Sequence, residues 1–430
     1  MATLLSLSVA ALAGLLLTRL LRPLRLPDVT AYIIAGVLVG PYCLGSLGVP
    51  GLGFAPGDTE KFSLICDVAL GFIAFSIGKE MRLRQLRKTG RQATFIGVVQ
   101  ALTAGVLVDL ALLIVHAIRP DVLSVPQAIT LGAIATATAP AATLMVVRQY
   151  KAKGPMTNLL LLVVALDDAV GLIVFAASFG AAKSMLTGGA DLLAIILNPL
   201  IEIVASLALG ALMGGVLTLA EKIFHSNTNR LTLSIIFVLL TVALSKLEFP
   251  LSSLKLSFSP LLVCMMLGTV FCNVCLLSSD LMERADRWTA PLFTLFFVIS
   301  GAELNVAANG AVLLVGAVYI VARSLGKYFG AYGSARLMKS SPGIYLNLGI
   351  TLLPQAGVAL GMCREAALLG AQGDLVRDVI LFSVLVYELV GPPLTKRALM
   401  AAGEIVPQSA EVRGRRTAKI AAAKAEKEHI

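Results

Sequence analysis

Thirteen apolar stretches separated by short charged loops dominate this chain: 2–20, 29–43, 60–79, 94–118, 126–148, 156–182, 193–220, 231–248, 258–276, 289–304, 310–336, 343–366 and 374–396. Runs of this length belong in hydrocarbon, where only a helix satisfies its own backbone. The pattern predicts an all-α membrane protein with thirteen transmembrane helices. Charged residues make up 14% of the 430 positions, against roughly 25% in soluble domains. A single Trp and the lack of alternating strands argue against an outer-membrane barrel. The stretches 29–43 and 289–304 are short for a straight crossing, but the charge pattern requires them.

That pattern sets the orientation. With the N-terminus outside, the inner loops hold 18 Lys and Arg and the outer loops 7, and eight more lie between Lys396 and Lys427. The excess predicts a multi-pass protein of the cell inner membrane, N-terminus outside and C-terminus cytoplasmic. It also explains the net charge of +10 without nucleic acid as a partner. Residues 2–18 are apolar and precede Arg19, Arg22 and Arg25, the order of a retained first helix rather than a cleaved signal. Residues 1–400 read as one membrane transporter domain and 401–430 as a basic cytoplasmic tail. The six cysteines lie in or at the ends of spans, and Cys272 and Cys275 form a lone CxxC without a second pair. No cofactor, metal cluster or redox site is expected. No nucleophile set or nucleotide loop is evident, so the chain is not read as an enzyme.

Two spans carry an internal proline. The fifth contains Ala135-Thr136-Ala137-Thr138-Ala139-Pro140 and the twelfth Thr351-Leu352-Leu353-Pro354-Gln355-Ala356-Gly357. Proline removes an amide donor and clashes with the turn before it, so both helices should break. Freed backbone groups are tolerated at that depth only against protein or a cavity. The breaks lie seven spans apart and so run in opposite directions, the arrangement of an inverted-repeat transporter with a midplane site. Ala137, Thr138, Pro140, Leu353, Pro354 and Gln355 would line it.

The sixth span holds Asp167 and Asp168 between apolar residues. Each would cost roughly 2.5 kcal/mol or more if charged at the bilayer centre, and adjacent helical residues point about 100° apart. The two acids can therefore hold different roles. In the eleventh span Arg323 and Lys327 share a face, and Gly326 and Gly330 form a small-xxx-small pair for close helix approach. Lys327 is the expected buried partner of a carboxylate, with Arg323 a possible second cation. Asp67, Asp109, Glu202, Glu303 and Glu388 are read as structural or interfacial; Glu388 is a possible secondary site residue because its span joins the same bundle. His116, His225 and His429 offer no metal site.

These residues carry a resemblance. Gly132 to Gly171, with Thr136, the loop Tyr150–Gly154 and Ala165-Leu-Asp167-Asp168, resembles the bacterial monovalent cation:proton antiporters of the sodium/proton type. Ala31–Gly36 through Gly40-Pro41, Phe72–Gly78, Arg323–Gly330, Leu353–Gly361 and Glu388–Pro392 are similar in the same order. The resemblance implies the sodium/proton antiporter fold, with inverted five-helix repeats and two crossing broken helices. It implies a homodimer, with core helices at about 94–182 and 310–396 moving against a dimerisation scaffold. It further implies that Asp168 binds the cation and that Thr136 lends an oxygen. Asp167 would alternate between a proton, the cation and a salt bridge to Lys327. Some sodium-selective members carry an acid after that threonine, where this chain has Ala137, which leaves ion selectivity open.

The expected activity is exchange of Na+ or Li+, in preference to K+, for protons by alternating access, with net charge movement. Carboxylates and carbonyls offer the hard oxygens such ions require, and the same carboxylates bind protons. A sodium-coupled symporter of an organic acid and a non-transporting sensor or channel are the alternatives.

Overall fold

The computed structural model describes residues 2–21, 28–47, 53–54, 59–139, 143, 146–147, 150–186, 192–247, 249–251, 254–256, 258–304 and 310–405. Pro140, His429 and the tail from residue 406 onward lie outside the described residues. The helices are α1 Ala2–Leu21, α2 Asp28–Val39, α3 Ser63–Glu80, α4 Leu83–Ile118, α5 Val125–Ala135, α6 Pro155–Leu186, α7 Leu192–Glu221 and α8 Asn227–Ser245. They continue with α9 Pro260–Val274, α10 Ser278–Ala302 and α11 Gly310–Leu337. The twelfth apolar stretch is divided into α12 Pro342–Tyr345, α13 Leu348–Thr351 and α14 Gly357–Ala366, and α15 Ala371–Ala401 follows. The fold is all-helical as expected; among the described residues one short antiparallel hairpin, Phe249–Leu251 with Leu254–Leu256, lies between α8 and α9.

Among the described residues, seven helical segments are long and apolar enough to cross a membrane alone: Leu4–Leu21, Asp28–Leu47, Gly90–Ile118, Pro155–Leu186, Leu200–Glu221, Asn227–Ser245 and Gly310–Leu337. The other expected spans fall on helices that are shorter, broken or more charged. Two helices, α10 and α4, begin about three turns before their apolar stretch. Helix α10 begins at Ser278 rather than 289, because Asp280–Arg284 at 2.7 Å and Glu283–Arg287 at 3.6 Å support its wet first turns. Helix α4 begins at Leu83, with a break at Gly90 (φ +75°) between its basic start and the span proper.

Packing falls into two groups. Helices α4, α5, α6, α11 and α13–α15 pack together, as do α1–α3 and α7–α10, and the groups meet along α6 and α15. One close approach bears on the site. A Cβ on Gly326 would stand 2.6 Å from Ala104 Cα, and one on Gly330 would stand 2.8 Å from Gln100 Cα. Bare glycine therefore lets α11 lie directly on α4, and this seats Lys327, one residue after Gly326, against the Gln100 face.

Candidate functional site

The site begins with what the prolines leave undone. Helix α5 starts on a capping box, with Ser124 N donating to Gln127 Oε1 at 2.8 Å and Gln127 N to Ser124 Oγ at 3.4 Å. It stops at Ala135. Pro140 has no N–H to return to the carbonyl of Thr136 four residues back. Ala139 N leaves the ladder as well and donates to Pro354 O at 2.8 Å in the other broken helix. Thr138 Oγ1 donates to Leu352 O at 3.2 Å, and Gln355 Nε2 to Ile134 O at 2.9 Å. The two interruptions are thus bonded to each other.

Two buried cations take the orphaned carbonyls. Arg323 donates from Nε to Ala135 O at 3.0 Å, from Nη2 to Ala137 O at 2.7 Å and from Nη1 to Leu353 O at 2.7 Å. Its guanidinium lies 4.6 Å from the ring centre of Tyr387. A planar five-donor fork can hold three carbonyls of two broken helices at once. Arg323 is 0% exposed, so it does not reach toward the membrane surface. Lys327, also 0% exposed, donates to Thr136 O at 2.5 Å.

The acid pair meets this crossing from α6. Lys327 Nζ lies 2.8 Å from Asp167 Oδ2, with both side chains fully buried. The other oxygen, Oδ1, accepts from Gln100 Nε2 at 2.6 Å. Asp167 therefore has a partner on each oxygen, which a buried ionised carboxylate needs. Asp168 is 1% exposed and points about 100° round the helix. One turn on, a Cβ at Gly171 would lie 3.2 Å from Thr136 Oγ1 and 3.4 Å from the Ala137 Cβ. The glycine thus lets the broken segment run close to α6. The arrangement sets Asp167 and the Thr136 carbonyl on one ammonium, with Asp168 the next residue along α6 and the Thr136 hydroxyl bonded to Ala133 O at 2.7 Å. A dehydrated alkali ion or a proton can replace that ammonium's charge there.

Other residues singled out from the sequence lie elsewhere. Glu388 is 1% exposed and accepts from Thr30 Oγ1 of α2 at 3.2 Å, so it faces the second helix group. Glu303 pairs with Arg364 at 3.0 Å and Asp67 with Lys246. With Glu202 and Phe175 they line a cavity of about 740 Å³. Phe175 lies seven residues beyond Asp168, on the same face of α6, with buried Leu172 between. Asp109 fits against Gly132, where any Cβ would collide with its carboxylate. His116 Nδ1 contacts Leu123 O at 2.6 Å, and His225 is exposed. Sequence reasoning passed over Gln100, the amide that touches Asp167. A lone glutamine inside an apolar span is the signal that marks it.

Comparison with known proteins bears on the family and the fold. Residues 7–401 match the family described as sodium/hydrogen exchanger, transmembrane. The high-affinity Na+/H+ antiporter NhaS3 of Synechocystis is 26% identical over 412 residues, covering 86% of this chain and 84% of that protein. The Na+/H+ antiporter NhaS4 of the same organism is 26% identical over 348 residues, 76% of this chain and 79% of that one. In fold, the chain resembles the solved sodium proton antiporter MjNhaP1 of Methanocaldococcus jannaschii. The TM-score is 0.69 at 18% identity, over 94% of this chain and 99% of that one.

Proposed function

Because the chain belongs to the sodium/hydrogen exchanger family, we propose that it exchanges a monovalent cation for protons across the membrane, with Asp167 and Asp168 as the shared binding pair. The observation that carries this reading is the buried Asp167–Lys327 pair at 2.8 Å, set where two broken helices are bonded to each other. In the cation-free state the ammonium balances Asp167. An entering Na+ or Li+ takes oxygens from Asp168, Asp167 and Thr136, and Lys327 gives up its contact with Asp167. Protons returning from the opposite side displace the ion from the same oxygens. Exchange then follows from competition at one site open to one side at a time, and no separate coupling device is needed.

The finer assignments belong to the same proposal. Thirteen spans place the N-terminus outside and the C-terminus in the cytoplasm of a bacterial inner membrane. The chain works as a homodimer, with the helices of about 94–182 and 310–396 moving against the rest. Na+ or Li+ is preferred to K+, and two acids with one lysine make transport electrogenic. Nothing in the site favours the symporter or channel alternatives. Purified protein in proteoliposomes provides the test. An imposed cation gradient should drive proton movement in the wild type, and Asp168→Asn should abolish it. Exchange that persists in Asp168→Asn refutes the assignment of the pair. A wild-type flux indifferent to membrane potential removes the electrogenic part alone.

A further inference from the structure

Glu404 lies three residues past α15, in the stretch that the sequence assigns to the tail, yet its carboxylate is bonded to the start of α6. Oε1 accepts from Met156 N at 2.7 Å. Oε2 accepts from Thr157 N at 2.7 Å and from Thr157 Oγ1 at 2.6 Å. Pro155, the first residue of α6, has no N–H, and Asn158 N already bonds Gly154 O at 3.0 Å. Glu404 thus takes the two opening amides that no backbone carbonyl reaches. It is an anion at the positive end of the helix that carries Asp167 and Asp168.

The chain is shaped to deliver it. Gly403 adopts φ +76°, Gly403 N bonds Met400 O at 3.0 Å, and Glu404 N bonds Leu399 O at 3.0 Å. This is the Schellman ending of α15. Opposite it, any Cβ on Gly154 would stand 2.3 Å from the Glu404 Cδ, so a glycine is needed where the carboxylate enters. Lys153 N adds a bond to Glu404 O at 3.2 Å. Ile405, 6% exposed, completes an apolar cluster with Val147, Met156, Leu159 and Leu399.

We infer that Glu404 is a positioning residue for cation binding: it ties the end of α15 to the N-terminus of α6 and so fixes the Asp167–Asp168 turn against the crossing. The inference rests on the proposed role of that pair. Asp168 lies twelve residues from Met156, about 18 Å along the axis. A helix carries an axial slip at its start undiminished to that turn. Ion ligation tolerates displacements of only about 0.5 Å, so a loosened start weakens binding before it slows the transport cycle. The tie itself is complete at Ile405, so a chain ended there keeps it.

The test uses full-length protein, Glu404→Ala, Glu404→Gln, Asp168→Asn, and chains ended after Ala402 or after Ile405. Na+-dependent thermal stabilisation in detergent and the KM and Vmax for Na+ in proteoliposomes are measured for each. Losing a cap of this kind should raise the KM about five- to tenfold while Vmax stays within about twofold. Glu404→Gln, which keeps one acceptor, should fall between, and it replaces Glu404→Ala if that variant is not inserted. The chain ended after Ile405 should match the full length, and the one ended after Ala402 should match Glu404→Ala. An unchanged KM in both Glu404 variants overturns the inference, as does a loss confined to Vmax or a raised KM in the chain ended after Ile405. If Na+ stabilises the wild type no more than Asp168→Asn, the reading of the acid pair itself has failed.

Discussion

The side-chain amide of Gln100 donates to Asp167 Oδ1 at 2.6 Å, opposite the Lys327 ammonium on Oδ2. Because α11 lies on α4 through Gly326 and Gly330, one helix contact positions both partners of the acid. Gln100 stabilises the ionised carboxylate, the form that must meet a cation. Gln100→Leu removes a bond to a charged group, worth about 1.5–3 kcal/mol. The prediction is a KM for Na+ raised about tenfold, with near-normal maximal rate. Dye-based exchange over a range of Na+ concentrations would measure it, and an unchanged KM counts against the contact.

Lys327 and Asp167 make a second test possible. Removing one member of a buried pair strands the other charge and costs about 3–5 kcal/mol, whereas removing both is often tolerated. Lys327→Met alone should lower the melting temperature in detergent markedly. The double variant Asp167→Asn/Lys327→Met should recover most of that loss, while charge movement per cation falls. A double variant as unstable as the single one would mean that the two charges are not coupled.

The sequence exposed those parts of the site that break a rule. Proline and carboxylate inside apolar runs are costly exceptions, so Thr136–Pro140, Pro354 and Asp167–Asp168 stood out. Gln100 did not, because a neutral amide alters neither the charge pattern nor the hydrophobic run. Arg323 and Lys327 were legible as buried cations, but which carbonyls they hold depends on how the two broken helices cross. Glu388 lies in the helix expected of it, yet it turns toward Thr30 of α2. Rotation about a helix axis is set by packing, which periodicity in a nearly all-apolar span cannot report. Glu404 was hidden for another reason: a polar turn after a helix looks like tail until its hydrogen-bond acceptors find a helix end. The charged extensions of α4 and α10 likewise lack the apolar pattern from which a span is recognised.

Arg323 should resist even conservative replacement. Its three nitrogens hold Ala135 O, Ala137 O and Leu353 O within 3.0 Å. Lysine keeps the charge but lacks the fork, so at least one of these carbonyls loses its donor. An unmet buried acceptor costs about 1–3 kcal/mol. Arg323→Lys is therefore expected to lower thermal stability and to reduce exchange at least tenfold. Thermal melts with parallel flux measurements would check this, and wild-type values for both would show that the crossing is held by other contacts.

Competition at one pair of acids also makes a quantitative statement about pH. If protons and the cation occupy the same oxygens, acidification should raise the apparent KM for Na+ without changing the maximal rate at saturating Na+. By linkage, the slope of log KM against pH is minus the number of protons released as one cation binds. A site that exchanges one proton gives a slope near −1, and displacement of protons from both acids brings it toward −2. Lys327 adds a constraint, because a proton that leaves the ammonium when Na+ arrives counts in the slope as well. We therefore expect a slope steeper than −1 in the wild type and close to −1 in Asp167→Asn/Lys327→Met, where Asp168 is the one acid left of the pair. Initial rates over a matrix of pH and Na+ concentrations, with membrane potential clamped, supply both numbers. A KM independent of pH, with protons acting only on the maximal rate, would separate the proton site from the cation site and break the competitive scheme.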